Sequence, residues 1–199
     1  MNDIAAILLA AGQSRRMGSC KQLLPLGETT VIGRCITTLR AAGIDRIVVV
    51  VASDGDAVAE EAGRFPPVLI VRNPTTEGDM ASSVRVGRES PATEACGVVV
   101  ALCDCPLVQP ATVRLLLDAG RAHPGRIIIP LHAGRRGHPL LIPRPILNEL
   151  TECLTLRDIV RCDPARVVEL PVADPGVLQD MDTPEDFRRI CSYLELPPG

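Results

Sequence analysis

The 199-residue sequence predicts a three-layer α/β fold, a mostly parallel sheet with helices on both faces. Three observations predict it. Short apolar runs rich in Val and Ile recur along the chain, too continuous for strands with one wet face. Segments with helical spacing alternate with those runs, the order that produces parallel pairing. Hydrophobic residues make up 46% of the chain, enough for a sizeable core.

The elements follow in order. Ile4–Ala10 is a continuous apolar run ending near Gly12, as a buried strand does. Val31–Ala42 has helical spacing, with Gly43 as its stop. Arg46–Ala52 contains the β-branched run Ile47-Val48-Val49-Val50-Val51, a strand buried on both faces. Asp54–Gly63 reads as a short helix with Asp54 as N-cap. Val68–Val71 is a third strand and Met80–Arg88 a helix. Gly97–Leu102 is a fourth apolar run, stopping at Cys103-Asp104-Cys105-Pro106. Pro110–Ala122 is helical, with proline at its start. Arg126–Pro130 and Pro139–Ile142 are strand candidates joined by the basic turn His132–Gly137. The stretch from about 130 to 170 breaks the rhythm and is expected to add antiparallel strands. Val167–Pro171 is a late strand. Thr183–Leu194 closes the chain as a helix, with Thr183 as cap, Pro184 at its start, and Glu185 and Asp186 at the positive end of its dipole. The whole reads as a Rossmann-like sandwich in one domain, residues 1–199, with 196–199 frayed.

Composition excludes several classes of function. The formal charge is −3 and only 2% of residues are aromatic, with no Trp. Neither a basic footprint nor stacking platforms for nucleic acid are present. No apolar run reaches the ~18 residues of a membrane span, and the first apolar run lacks a basic flank. The expectation is a cytoplasmic protein with no membrane or nucleic-acid partner. The eight cysteines contain no C-x-x-C pair, and His123, His132 and His138 are scattered, so no structural zinc site is expected. The 21 cationic residues are 20 Arg and one Lys, Lys21, which singles out a position where a compact ammonium is used in place of the guanidinium fork.

In a parallel sheet, ligands bind beyond the carboxyl ends of the strands. That rule selects Ala10–Lys21, Asn73–Ser83, Cys103–Pro106 and Asp180–Asp182. In the first of these, which Leu9 opens as part of the candidate nucleotide-binding segment, the small residues Ala10, Ala11 and Gly12 let a planar base or a phosphate approach the backbone closely. Successive N–H groups can form an anion nest, and Arg16 and Lys21 add positive charge suited to a triphosphate. The segment is neither a Walker A loop nor a G-x-G-x-x-G fingerprint.

The run from Leu9 through Lys21 to Pro25 resembles the signature L-A-A-G-x-S-x-R-M-G-x-x-K-x-L-L-P of the MobA-like nucleotidyltransferases. Within that superfamily the chain most resembles the molybdenum cofactor cytidylyltransferases. The likeness continues through four further segments in the same order. Asn73 to Gly87 resembles N-P-x-x-x-G-M-x-x-S-x-x-x-G, with Asp79 intruding at the Gly-Met step. The likeness implies that Asn73 and Ser83 hold the nucleotide base, although Ser82 and Ser83 also suit the first turn of a helix. Asp104-Cys105-Pro106-Leu107-Val108 resembles D-M-P-L-V. An Asp at the end of a buried strand can hold a hard cation, and also suits a turn or cap. Cys103 and Cys105 flank it, and strand alternation points them away from Asp104. Arg136-Gly137-His138-Pro139 resembles R-G-H-P. Arg135, Arg136 and His138 would offer donors to an anionic acceptor or form a solvated turn. Asp180-Met181-Asp182-Thr183-Pro184-Glu185-Asp186 resembles D-x-D-T-P-E-D, implying Asp182 as second metal carboxylate, or Asp180 in a register shifted by two. Leu154–Arg161 matches G-A-R-x-L-L loosely, with Thr155 and Leu156 replacing Gly and Ala.

The resemblance implies a GT-A-like nucleotidyltransferase fold and a Mg²⁺-dependent reaction. A cytidylyl group would pass from CTP to the phosphate of molybdenum-loaded molybdopterin, with release of pyrophosphate. Arg16, Lys21 and Asp104 would be catalytic, and Asp104 and Asp182 the metal ligands. The acceptor phosphate would attack in line and needs no general base. Transient contact with a molybdoenzyme or its chaperone is also implied. The alternatives are a guanylyl or sugar-phosphate nucleotidyltransferase of the same superfamily and a non-catalytic cofactor carrier. An NAD(P)-dependent oxidoreductase is disfavoured because the glycine fingerprint is missing.

Overall fold

The computed structural model describes residues 3–12, 19–75, 79–152 and 154–195. The elements are β1 (Ile4–Ala10), β2 (Pro25–Leu26), β3 (Thr29–Thr30), α1 (Val31–Ala41), β4 (Ile47–Ala52), α2 (Asp56–Gly63), β5 (Leu69–Asn73), α3 (Met80–Arg88), β6 (Gly97–Leu102), α4 (Pro110–Ala122), β7 (Ile127–His132), β8 (Arg135–Arg136), β9 (Leu140–Pro143), α5 (Arg144–Leu147), α6 (Leu156–Cys162), β10 (Val167–Pro171) and α7 (Pro184–Glu195). The main sheet has the order β10-β7-β9-β6-β1-β4-β5, with β8 paired to β7. β1, β4, β5 and β6 are mutually parallel. β9 is antiparallel to both its neighbours, so β7 and β10 regain the direction of the first four strands. The expected antiparallel insertion is therefore confined to β8 and β9.

Alternation along the strands builds two cores. Ala6, Leu8 and Ala10 of β1 join Val49, Val51 and Val99 against α1, α2, α4 and α7. Ile7 joins Val48, Val50, Val98 and Val100 against α3, α5 and α6. Both faces of the central strands are thus dry, which is why their sequences are continuous rather than alternating.

Several boundaries differ from the sequence expectation. Asp54 does not cap α2. Gly55 stands at the cap position without a side-chain bond, and Asp56 in the first turn pairs with Arg72 at 2.6 Å. β5 runs on to Asn73 because its ladder follows β4 as far as Ala52. The β2–β3 hairpin, α5 and α6 were not expected. The two departures from the resembled pattern at Thr155 and Leu156 have a local explanation. Thr155 and Asp158 form a capping box at the start of α6, and Leu156 is buried in the second core. The fraying expected at 196–199 lies outside the described residues.

α3 lies unusually close to the sheet at Gly87. A Cβ there would meet Ile7 Cγ2 at 2.8 Å and Val50 Cγ2 at 3.0 Å. Gly87→Ala is expected to lower the unfolding free energy by about 1–3 kcal/mol through overpacking, despite the better helix propensity of alanine. Urea denaturation checks this, and an unchanged midpoint would contradict the close approach.

Candidate active site

The carboxyl ends of β1 and β6 open into a cleft of about 570 Å³, solvent included. Leu9 and Leu102 line it beside Ala11 and Gly12. Lys21, Gln22 and Asp104 also line it, as do Asp79, Met80 and Ser83 from the start of α3.

Lys21 is buried on a 3₁₀ turn, Lys21–Leu23. Its Nζ donates to Asp182 Oδ1 at 2.9 Å, to the Met181 carbonyl at 3.0 Å and to Asp104 Oδ2 at 3.4 Å. Burial opposes the charged form of Lys21. The Asp104 charge and the Asp182 hydrogen bond outweigh burial, so its pKa is raised above the usual lysine value. The lysine side chain is 11% exposed, against 28% for Asp104 and 49% for Asp182, so the carboxylates keep faces open to solvent. The only lysine of the chain therefore stands between the two aspartates implied as metal ligands.

Gln22 was not singled out in the sequence. Its buried Nε2 donates to the carbonyls of Ala10 at 3.0 Å and Gly12 at 2.7 Å, fixing the backbone as it leaves β1. The same two bonds hold the 3₁₀ turn at Lys21–Leu23 against the end of β1. Arg16 lies outside the described residues.

At the end of β5, Asn73 is buried. Its Nδ2 donates to Ser82 Oγ at 2.9 Å and Ser83 Oγ at 3.0 Å, and its Oδ1 accepts from the Thr75 N–H at 3.0 Å. Both amide hydrogens are committed within the protein, so Asn73 locks β5 to α3. Ser83 remains on the cleft wall. Asp79 is the N-cap of α3, its Oδ1 accepting from the Ser82 N–H at 2.7 Å.

The turn after β6 is held to the segment 174–182. Met181 N–H donates to the Asp104 carbonyl at 2.9 Å, which brings Asp182 beside Asp104. Met181 itself is fully buried. Asp174 is a buried carboxylate that accepts from Gln109 N–H (2.9 Å), Thr112 Oγ1 (2.7 Å) and Gly176 N–H (2.8 Å). It caps α4 across the fold, because Gln109 supplies no side-chain cap of its own. Thr183 and Asp186 exchange side-chain and backbone bonds at the start of α7, as expected of a cap. The expectation for Cys105 is corrected. Its thiol donates to Asp104 Oδ1 at 3.7 Å, because the strand ends at Leu102 and alternation ends with it. Burial holds the Cys105 thiol well above its usual pKa, so it is protonated.

The R-G-H-P segment divides. Arg135 and Arg136 are exposed on β8, and Arg136 Nε donates to Glu169 Oε1 at 2.7 Å. Gly137 passes under the 175–178 turn so closely that a Cβ would meet the Val177 carbonyl oxygen at 2.3 Å. His138 lines a second, narrow pocket with Cys35, Cys105 and Pro106, which Asp104 does not line. Its Nδ1 is buried and takes no hydrogen bond from a described residue. Burial lowers the His138 pKa, and the Asp104 and Asp180 charges offset only part of that. Arg136 and His138 thus face different surroundings. Among the described residues no three His, Cys, Asp or Glu side chains form a metal cluster, and no helix is long and apolar enough to cross a membrane.

A family model described as a MobA-like NTP transferase domain matches residues 6–168. The chain is 27% identical over 190 residues to the molybdenum cofactor cytidylyltransferase of Escherichia coli (strain K12), covering 94% of this chain and 95% of that one. It is 30% identical over 199 residues to nicotine blue oxidoreductase of Paenarthrobacter nicotinovorans, covering 94% and 96%. The crystal structure of Rv0371c from Mycobacterium tuberculosis H37Rv matches at TM-score 0.80 and 33% identity over 96% of this chain and 98% of that one. A second structure of that protein, TM-score 0.73 and 32% identity over the same shares of both chains, is a complex with manganese.

Two outcomes are expected from this geometry. Asp174→Ala strands buried donors at the start of α4 and should cost about 2–4 kcal/mol in urea unfolding; a loss under 0.5 kcal/mol would contradict the assigned role. Because the folded-state pKa of His138 is depressed, its contribution to stability is full above its usual value near 6.5 and is lost as pH falls through the lower folded value. Thermal melts from pH 7.5 to 5 should therefore fall less steeply for His138→Gln than for the parent, and parallel curves would contradict this.

Proposed function

The chain belongs to the MobA-like NTP transferase family, and we propose that it transfers a cytidylyl group from CTP to the phosphate of molybdenum-loaded molybdopterin, releasing pyrophosphate. The observation that carries the nucleotidyl-transfer part is the convergence of Asp104 and Asp182 on the Lys21 ammonium at the mouth of the cleft. Binding or carrying a cofactor needs no such arrangement. The choice of cytosine rests on Ala11 within Leu9-Ala10-Ala11-Gly12 and on the similarity to the cytidylyltransferase over 94% of the chain. The reading treats residues 1–199 as one domain.

The donor set suits a hard divalent cation. Mg²⁺ is held by one or two carboxylates, with waters and substrate phosphates completing its shell. Asp104 and Asp182 are two such carboxylates, brought within reach of one nitrogen from segments distant in sequence. They would hold Mg²⁺, which when bound neutralises phosphate charge and polarises the phosphoryl group.

The remaining work falls to the chain itself. Lys21 keeps its proton throughout the physiological range and offers a fixed positive charge to the triphosphate and the departing pyrophosphate. Gln22 fixes the carbonyls of Ala10 and Gly12, leaving this small-residue edge for the nucleotide to lie against. Ser83 faces the cleft as a base contact, and Asn73 acts by positioning it. No general base is required, since a phosphate monoester with a second pKa of about 6 is already a dianion at neutral pH. Arg135 and Arg136 stand on β8 as donors for the anionic acceptor, Arg136 after release from Glu169. His138 is neutral near pH 7 and contributes hydrogen bonding rather than charge.

Pyrophosphate release with Mg²⁺ and each of CTP, GTP, ATP and UTP, with and without molybdenum-loaded molybdopterin, tests this. The expected result is release with CTP that depends on the pterin, and at least a 100-fold loss of turnover in Asp104→Ala (about 2.7 kcal/mol of transition-state stabilisation). Release with GTP alone would assign guanylyl transfer. No release from any nucleotide would overturn the reading in favour of a carrier, or of the redox chemistry named in the oxidoreductase relative. Near-normal turnover of Asp104→Ala would overturn the mechanism.

A further inference from the structure

Asp79 is the residue that interrupts the resembled Gly-Met step, and the cap it forms on α3 uses only half of its carboxylate. Oδ1 accepts from Ser82 N–H at 2.7 Å, and its backbone carbonyl accepts from Ser82 Oγ at 2.8 Å. Oδ2 takes no hydrogen bond or ion pair from a described residue. Asp79 is exposed and lines the cleft together with Met80 and Ser83. Lys21 and Asp104 also line this cleft, and the proposed function sets them against a phosphate chain and a metal ion. On the proposed function, a nucleotide with its phosphates at Lys21 and Asp104 has the start of α3 on the same cleft to receive its base.

We infer that Asp79 is a specificity-determining residue, its Oδ2 accepting a hydrogen bond from the exocyclic amine of the base. The inference rests on the reading of the cleft as a nucleotide site. Cytosine presents an amine donor at C4, and uracil presents a carbonyl oxygen in the same place. Against an acceptor-only carboxylate, the amine gains a charge-assisted hydrogen bond and the carbonyl meets a like charge. Any effect of this charge on the phosphates is the same for CTP and UTP, so the CTP:UTP ratio isolates base choice.

The helix cap supplies a sharp test. Asn is as good an N-cap as Asp. In Asp79→Asn the side-chain oxygen stays on Ser82 N–H, which leaves the amide NH₂ where Oδ2 was. That reverses the hydrogen-bonding sense toward the base without unfolding α3. The parent protein is expected to bind CTP more tightly than UTP by about 10- to 100-fold, the range of one hydrogen bond to a charged group. Asp79→Asn should lose that preference or favour UTP. Asp79→Ser, another cap, should lose the preference without reversing it. Titration calorimetry with Mn²⁺ and CTP or UTP, without acceptor, reads both affinities independently of turnover, and melting curves confirm that each variant is folded. An unchanged CTP:UTP ratio in a folded Asp79→Asn would overturn the role of Asp79 and leave the nucleotide-site reading standing. A parent protein that binds neither nucleotide would overturn that reading and this inference with it.

Discussion

One ammonium joins three stretches of chain that lie far apart in sequence. Lys21 follows the first strand, Asp104 the β6 strand, and Asp182 precedes the last helix, and all three meet at Nζ. Two carboxylates that share one ammonium repel each other, and among the described residues Lys21 is the positive group that both of them contact. The half-exposed Asp182 and the better buried Lys21 share the burden unequally, so the lysine pays most of the desolvation. The arrangement resembles buried ion pairs that act more in specifying geometry than in adding stability. A divalent cation at the carboxylates would offset their charge and leave the lysine to face a polyanion.

Around that point the backbone does the alignment. The Met181 N–H on the Asp104 carbonyl sets the Asp104–Asp182 spacing through main-chain geometry rather than side-chain contact. Asp174 anchors the same segment to the start of α4, and Gly137 admits the 175–178 turn against β8 and β9. On the opposite wall, Asn73 ties β5 to α3 and thereby orients Ser83. Ser83 on the cleft wall is thus backed by the buried Asn73, and Asp104 by the main chain of Met181, the kind of support that a preorganised site requires.

The two cores explain why the site can tolerate this density of polar groups. β1 and β6 are dry on both sides, and the polar residues gather only beyond the ends of these strands, where the ladder stops and side chains replace backbone partners. Gln22 bonding to Ala10 and Gly12 is the clearest case, a side-chain amide holding the backbone where β1 ends.

The sequence by itself determined the layers and the buried strands, because continuous apolar runs are local signals, and it singled out Lys21 as the one lysine beyond the first of them, whereas Asp104 stood out through resemblance as well as its place at the end of a strand. Asp182 became legible through resemblance and the cap at Thr183. The roles of Gln22 and Asp174 were decided only by the tertiary structure, since apart from the local Asp174–Gly176 bond their partners lie 10 to 65 residues away and no spacing rule connects them. The same holds for Cys105, whose direction follows from where the β6 strand ends. Fold and chemistry of the first loop are written in consecutive residues; the alignment of one carboxylate against another is written in hydrogen bonds between segments that meet only when the sheet closes its order, with β9 reversed between β6 and β7.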